Sequence, residues 1–513
     1  MQESRTRYVK KNIYYGYVCT LLTSILSFVS RSVFIGALGV DYLGISGIFT
    51  NVLGILSFSE LGIGTAISFS LYKPIAENDR EKIKSLMNFY RAAYRVIALI
   101  VTVSGVILYP FLKYLVNSPI PLEEINTYYW VFLFNTVSSY FVSYKTSFAS
   151  AIQKNYIVTI ADSVSKLVIE VTQIILLKLG GRYMGFLLVA AGIGLVKNII
   201  TVLYLNRKYP VLTEKDRLPL DEDTKKGIWK NVKALIVHKI GDVAVNQTDN
   251  LIISTLISTT MVGYISNYVS LHSMVASFTT ALFAGSVASI GNMLVKAGKK
   301  RWKEVFEVYD LLSFWIFGFV LVAFLTLSQS FITLWVGEAL RVDDLTMILF
   351  FVSKYLEGLC VITHHFKAAA GRFEEDKWVP FAQAVINLVT SVAAVRLIGL
   401  PGVYVGTILQ RLLVNYMRPH IVYKCVLQAD EKEYFVRFFF RLVLLTAVYV
   451  LMRLISRFVL SEVTVIRFAL MALLTAVIPN ALIVLIYYRT PAFKELMRKV
   501  FGKSDRLRGS GHG

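Results

Sequence analysis

The stretch from Tyr42 to Arg80, YLGISGIFTNVLGILSFSELGIGTAISFSLYKPIAENDR, decides the fold. It begins as a segment long and apolar enough to cross a membrane, and it ends in a charged turn. Between the two, Glu60 places a carboxylate deep among apolar residues. A carboxylate in hydrocarbon is costly unless it faces protein or a hydrated cavity. The stretch therefore predicts a membrane span that lines a hydrated path.

The composition extends this prediction to the whole chain. Hydrophobic residues make up 56% of the 513 residues, and the mean hydropathy is +0.59. Apolar runs of about 20 residues, the length that spans the hydrocarbon core, recur along the sequence. These features predict an all-α polytopic membrane protein whose immediate partner is the lipid bilayer.

The net charge of +21 does not require a nucleic-acid partner. Most of the lysines and arginines fall in loops on alternate sides of the spans, as the positive-inside rule expects. This bias predicts that both the N-terminus and the C-terminus are cytoplasmic. The basic residues inside spans need a separate explanation.

The apolar runs predict about fourteen spans. They lie near 12–38, 42–70, 86–112, 124–150, 156–179, 183–205, 229–257, 261–294, 303–333, 345–370, 378–398, 400–424, 434–457 and 464–488.

An internal repeat divides these spans into two groups of six. A shift of 219 residues aligns Gly44 with Gly263 and Tyr90 with Tyr309, and a shift of 221 aligns Gly181-x-x-x-Gly185 with Gly402-x-x-x-Gly406. Parallel repeats of this kind are related by an axis along the membrane normal, and substrate sites lie between them. The predicted domains are a six-helix lobe (1–206), a cytoplasmic linker (207–227), a second six-helix lobe (228–430), two extra helices (431–490) and a basic tail (491–513).

Charged residues inside the spans are the candidate functional groups. Arg31, Lys145, Lys166 and Arg411 are the cations of interest, and the carboxylates are Glu60, Asp162, Glu170, Asp242 and Asp249. Asp162, Lys166 and Glu170 follow an i, i+4, i+8 spacing, so they share a helix face. Such a ladder either neutralises itself by pairing or faces a cavity. Arg31 has no carboxylate three or four positions away, which favours a ligand-binding role.

Glu60 allows two interpretations. It either bridges to Arg31 or Lys145 and holds its lobe together, or it serves as an ion site in the hydrated path. Glycines at 54, 62 and 64 allow close helix approach and bending beside it.

The motifs of several enzyme and motor classes do not occur. Gly502-Lys503-Ser504 lacks the upstream glycine of a phosphate-binding loop, which argues against an ATP motor within the chain. There is no HExxH motif or nucleophile elbow, and the cysteines show no metal-ligand spacing. We therefore expect neither an enzyme nor a metal cofactor, and coupling to Na⁺ or H⁺ stays open.

Three segments resemble bacterial polysaccharide repeat-unit flippases, the Wzx-like sugar translocases. They are the run from Ala37 to Arg95, which contains SELGIG, then QKNYIV at 153–158, and HKIGDVAVNQTDNLIIS at 238–254. The resemblance places the chain in the polysaccharide transporter family of the multidrug/oligosaccharidyl-lipid/polysaccharide exporter superfamily. It implies two six-helix lobes with two additional helices, in the bacterial cytoplasmic membrane.

The resemblance also implies a function. Such proteins move an undecaprenyl-diphosphate-linked oligosaccharide from the cytoplasmic to the outer leaflet by alternating access, beside a polysaccharide polymerase and glycosyltransferases. Basic cavity residues in these relatives bind the diphosphate or acidic sugars, and Arg31, Lys145, Lys166 and Arg411 match them by location.

Two other functions stay open. A cation-coupled multidrug or small-molecule antiporter of the same superfamily would use Glu60, Asp242 and Asp249 as coupling carboxylates. A non-transporting scaffold for polysaccharide assembly is the third possibility, although it has no need of charges within spans.

Overall fold

The computed structural model describes residues 5–60, 63–214, 220–283, 285–372 and 374–501, and within these ranges every regular element is helical. The helices are α1 (Arg5–Leu38), α2 (Asp41–Leu56), α3 (Ile63–Glu77), α4 (Arg80–Leu108), α5 (Leu112–Leu115), α6 (Leu122–Ala151), α7 (Asn155–Lys178), α8 (Tyr183–Lys208), α9 (Glu222–Leu256), α10 (Thr259–Phe283), α11 (Ser286–Lys296), α12 (Lys299–Val336), α13 (Asp344–Ala369), α14 (Val379–Ile398), α15 (Pro401–Ile421), α16 (Lys432–Val459), α17 (Val465–Tyr487) and α18 (Pro491–Phe501).

The prediction of an all-α, multi-span protein is confirmed. Each of the fourteen predicted spans coincides with a helix or with a pair of consecutive helices. Eight of the described helices are long and apolar enough to cross a membrane by length and composition. Several helices begin after an N-cap residue whose side-chain oxygen accepts a hydrogen bond from a free backbone N–H of the first turn. Asp79 accepts from the Lys82 N–H, and Asp343 accepts from the Thr346 N–H.

The second span of each predicted lobe is broken, where the sequence predicted a continuous helix. In the first, α2 gives way to a 3₁₀ turn at Ser57–Glu60 before α3 begins. Two tyrosines of α4 hold this region: Tyr90 OH donates to the Gly64 carbonyl, and Tyr94 OH donates to Glu60 Oε1 at 3.1 Å. In the second, the break falls between α10 and α11. The breaks bring polar backbone to membrane depth, which is tolerated only where protein or a cavity covers it.

The chain forms two compact units, Met1–Met274 and Val275–Gly513. In unit 1, α1 packs on α7, α4 and α8 pack on α6, and α9 packs on α2. The predicted linker and lobe limits at 207–227 stay predictions.

In unit 2, α13 and α14 pack on α15, and α12 packs on α13, α16 and α17. The glycine pair on α15 is a packing face, as predicted. A Cβ at Gly406 would lie 2.1 Å from Ser391 Oγ, and one at Gly402 would lie 2.4 Å from the Ala394 carbonyl carbon. The first of the two extra helices, α16, is joined to α12 by a buried ion pair, in which Arg441 Nη1 lies 2.7 Å from Asp310 Oδ2.

Candidate functional site

Arg31 is held by α10. Its Nε donates to Asn267 Oδ1 at 2.7 Å, and its Nη1 donates to Ser270 Oγ at 2.8 Å. Its Nη2 donates to Ser266 Oγ. All three partners are neutral, and Arg31 forms no ion pair within the described part of the chain. The site is therefore a half-buried guanidinium whose positive charge is hydrogen-bonded but not neutralised.

The carboxylate ladder on α7 is divided among different partners. Glu170 is buried, accepts from Ser27 Oγ at 2.5 Å and lies 3.8 Å from Lys166 Nζ. Asp162 does not pair with Lys166, since it accepts from Lys197 Nζ of α8 at 2.9 Å. Ser27 is one helical turn before Arg31 on α1, so Glu170 and Lys166 belong to the surroundings of Arg31.

Glu60 has a neutral partner. Tyr94 OH donates to its Oε1 at 3.1 Å, and neither of the two predicted cation partners bonds it. Arg31 instead bonds α10, and Lys145 Nζ donates to Asn206 Oδ1 at 2.6 Å. The predicted lobe-holding bridge does not form in this structure, which leaves the half-buried carboxylate next to a tyrosine hydroxyl.

Lys145 lies in a cavity of about 310 Å³ between α4, α6 and α8, separate from the partners of Arg31. Two arginines of α4, Arg91 and Arg95, line the same cavity, together with Tyr94 and Tyr144. Sequence reasoning missed both arginines. Their i, i+4 spacing inside the predicted third span is the signal that would have found them, by the same rule that selected the ladder on α7.

Arg411 is ion-paired within unit 2. Its Nη2 lies 3.2 Å from Glu357 Oε2, and the same carboxylate lies 3.2 Å from Lys354 Nζ. Two cations thus share one carboxylate on α13, so the cluster keeps a net positive charge. Of the remaining candidates, Asp249 is half-buried on α9, and the Asp242 side chain lies outside the described residues.

The turn between α9 and α10 packs directly on the turn between α1 and α2. A Cβ on Gly44 would lie 2.0 Å from the Thr259 carbonyl oxygen, and one on Gly263 would lie 2.4 Å from the Val40 carbonyl oxygen. Asn117 extends this contact, because its carbonyl accepts from the Thr259 N–H at 2.8 Å. We call it the α2–α10 contact. Its backbone approach leaves room for glycine alone.

At the opposite end of α9, Asp221 caps the helix and pairs with Lys82 Nζ. The Lys82 ammonium, with further hydrogen bonds from Thr224, holds the pKa of Asp221 well below its usual range. The start of α9 is thus tied by a charged hydrogen bond to the start of α4.

Among the described residues, no group of three or more His, Cys, Asp or Glu side chains is placed to hold a metal ion.

Solved structures define the class of fold. The chain is similar to the lipid II flippase MurJ in its inward closed conformation, with a TM-score of 0.64 at 15% identity, covering 92% of this chain and 98% of that one. It is also similar to the Vibrio cholerae MATE transporter VcmN, with a TM-score of 0.56 at 13% identity and coverage of 83% and 99%. An inward-facing multidrug resistance MATE transporter of the MOP superfamily gives 0.54 at 14% identity, with 78% and 95% covered. At these identities the likeness establishes the fold, that of multi-span transporters.

The sequence identifies the family. Residues 9–288 match the family model described as polysaccharide biosynthesis protein, and the chain belongs to that family. No curated protein sequence matches the chain. The family is thus one of polysaccharide biosynthesis, and the fold is the one that the MurJ flippase and the MATE transporters share.

Proposed function

We propose that the protein moves an undecaprenyl-diphosphate-linked oligosaccharide, a polysaccharide repeat unit, from the cytoplasmic to the outer leaflet by alternating access. The family and the transporter fold support a flippase in polysaccharide biosynthesis. The observation that carries the substrate assignment is Arg31, a guanidinium within a membrane-spanning helix with three neutral partners.

The chemistry of the substrate explains why such a cation is needed. A lipid diphosphate must carry its charged head across hydrocarbon, and the desolvation cost is prohibitive without a polar path. Arginine binds phosphate oxygens with two parallel hydrogen bonds and stays charged when it is partly buried. Arg31 can exchange its hydroxyl and amide partners for a diphosphate without breaking an ion pair.

The same exchange couples substrate binding to opening. Arg31 bonds α10 through Ser266, Asn267 and Ser270. A diphosphate that takes over these donors removes three bonds between α1 and α10. The substrate then binds better to a conformation in which α10 has moved away, which is the differential affinity that shifts a conformational equilibrium.

The proposal includes a location and partners. The protein lies in the bacterial cytoplasmic membrane with both termini in the cytoplasm, as the lysine and arginine bias predicts. Glycosyltransferases that build the repeat unit and a polymerase that uses it are the partners this function implies.

The test compares Arg31→Ala and Arg31→Lys with the unmodified protein in liposomes, using a fluorescent undecaprenyl-diphosphate disaccharide as the probe. Hydrogen bonds to a charged group contribute about 1.5–3 kcal/mol, so we expect Arg31→Ala to slow translocation by at least about tenfold. Arg31→Lys keeps the charge but loses the paired hydrogen bonds, and we expect an intermediate rate. Arg207→Ala, which removes an exposed arginine at the end of α8, is the matched control.

The outcome separates the three functions. Unchanged translocation in Arg31→Ala, with Arg207→Ala also unchanged, removes Arg31 from the substrate site. Gradient-driven efflux of organic cations without movement of the lipid probe would establish the antiporter instead. If the folded, unmodified protein transports neither probe, the remaining function is that of a non-transporting scaffold for polysaccharide assembly.

For energy coupling, we propose that Glu60 is the ion-binding carboxylate, because its partner is a tyrosine hydroxyl rather than a cation. Glu60→Gln keeps a similar shape and removes the titratable charge. We expect this variant to translocate the lipid probe at a rate that no longer responds to a proton or sodium gradient. A response equal to that of the unmodified protein would exclude Glu60 from coupling.

A further inference from the structure

An apolar groove lies beside the cationic cavity that contains Lys145. The groove has a volume of about 600 Å³ and lies between α4, α6 and α8 of unit 1. Its lining is almost wholly apolar and includes Trp130, Phe134 and Phe141 of α6 with Leu195, Ile199 and Val202 of α8. Phe134 and Ile199 are 54% and 51% exposed. In a membrane-spanning unit such exposed groups contact lipid chains.

The groove and the cavity are adjacent. Phe141 lines both of them, and Asn206 in the cavity follows Leu203 in the groove by one turn of α8. The α4–α6–α8 site, as we name the pair, therefore places an apolar groove beside a polar end. The polar end lies where α4 begins and α8 ends, and Leu212 of the following 3₁₀ turn covers it.

The polar end has a positive charge that no described carboxylate neutralises. Arg91, Arg95 and Lys145 all line it, and none of the three forms an ion pair within the described residues. Lys145 is 6% exposed, and among the described residues the hydrogen-bond partner of its Nζ is the neutral Asn206. Arg91 donates from Nη2 to the Leu212 carbonyl at 3.1 Å, while its Nε is buried with no partner among the described residues. These hydrogen-bond donors and their positive charges would bind an anion in the cavity.

We propose that the α4–α6–α8 site binds an anionic glycerophospholipid of the surrounding leaflet, with its phosphodiester held by Arg91, Arg95 and Lys145 and an acyl chain in the groove. Basic pockets between membrane-spanning helices on the cytoplasmic side bind anionic headgroups of this kind. Charge complementarity selects an anionic headgroup over a zwitterionic one. The adjacent apolar groove selects a lipid over a free anion.

The size of the polar end favours a phospholipid over the proposed transport substrate. About 310 Å³ is at the lower limit of small-molecule sites, which run from about 300 to 1,000 Å³. A phosphodiester with a small alcohol is closer in size to this space than a diphosphate-linked oligosaccharide is. Leu212 belongs to the segment that follows α8, and Arg91 holds that segment beside the cavity through the Leu212 carbonyl. The assignment does not depend on the proposed flippase function, and Lys145 then serves a lipid other than the substrate.

The test measures phosphatidylglycerol bound to the purified full-length protein, by native mass spectrometry and by competition with a fluorescent phosphatidylglycerol. One variant, Arg91→Gln with Arg95→Gln, removes two headgroup donors. A second, Ser138→Trp, fills the groove with a ring and leaves the cations in place. The controls are Arg207→Gln, an exposed arginine outside the cavity, and Val164→Trp, an exposed site on α7.

We expect phosphatidylglycerol to remain bound to the unmodified protein and to both controls, in preference to phosphatidylethanolamine. Both site variants should weaken its binding at least tenfold. Because the two variants alter different parts of the site, Ser138→Trp keeps the test valid where the double variant does not fold.

Three results would overturn the proposal. One is equal retention of phosphatidylglycerol by the unmodified protein and by folded Ser138→Trp. Another is displacement of the lipid by inorganic phosphate alone, which would make the cavity a free-anion site. The last is displacement of fluorescent phosphatidylglycerol by an undecaprenyl-diphosphate disaccharide from the Arg31→Ala protein, which would make the α4–α6–α8 site part of the substrate path.

Discussion

Gly44→Ala tests the α2–α10 contact directly. The new methyl group would start 2.0 Å from the Thr259 carbonyl oxygen and 2.8 Å from its carbon. A carbon-to-oxygen contact is comfortable at about 3.3 Å, so the two backbones must separate by about 1.3 Å. Since both atoms at the contact are backbone or Cβ, no flexible side chain can move aside instead.

The magnitude follows from the cost of overpacking. Forcing an extra carbon into a packed contact costs about 1–3 kcal/mol. Alanine also favours the helix by about 0.5–1 kcal/mol over glycine, but this gain is present in every conformation of α2 and cancels. The conformation with the contact closed should therefore lose about 5-fold to 150-fold in population relative to an open one.

The assay uses thiol accessibility. Ser254 is fully buried beside the contact, where its hydroxyl donates to the Leu115 carbonyl at 2.7 Å. In a background without Cys19, Cys360 and Cys425, a Ser254→Cys reporter should react slowly with a membrane-impermeant reagent when Gly44 is present. We expect Gly44→Ala to raise the labelling rate at least about fivefold.

Gly36→Ala is the matched control, because a Cβ at that helical position meets nothing within 4 Å. Equal labelling of the reporter in folded Gly44→Ala and Gly36→Ala proteins would refute the inference that the α2–α10 contact depends on the missing side chain of Gly44.

Two further predictions concern stability and pH. Asp310→Asn leaves the buried Arg441 without its countercharge, and we expect it to lower the stability by about 3–5 kcal/mol, seen as a lower midpoint in thermal size-exclusion profiles. Glu433→Gln breaks an exposed ion pair on α16, the helix of Arg441, and should lower the stability by about 1 kcal/mol or less. Equal losses of stability in the two variants would contradict the argument from burial. Asp221→Ala should speed amide exchange at Thr224, since it removes the side-chain oxygen that caps the helix. Because the pKa of Asp221 is lowered, its stabilising charge is fully present above the ordinary aspartate pKa and is lost only as the pH falls below that value. Amide exchange at Thr224 in the unmodified protein should therefore show no loss of this cap between about pH 5 and pH 8. A cap that weakens within that range would contradict the assignment.

Much of the fold followed from local sequence, because a membrane span must satisfy its backbone internally and carry an apolar surface. The fourteen spans and the glycine face on α15 were therefore predictable from runs and spacings. The breaks after α2 and α10 were not, since they depend on contacts from elsewhere in the chain. Tyr90 and Tyr94 hold the first break from α4, and no local pattern around Glu60 encodes those partners.

The candidate site shows the same division. The sequence alone determined that Arg31 lies within a span without a local countercharge, and that Lys166 and Glu170 share a helix face. Only the tertiary structure decided that Arg31 bonds α10 and that Lys145 joins Arg91 and Arg95 in a separate cavity. Helical spacing fixes which side chains share a face of one helix. Which charges meet across helices depends on packing between distant segments, and that selects the partners of each buried cation.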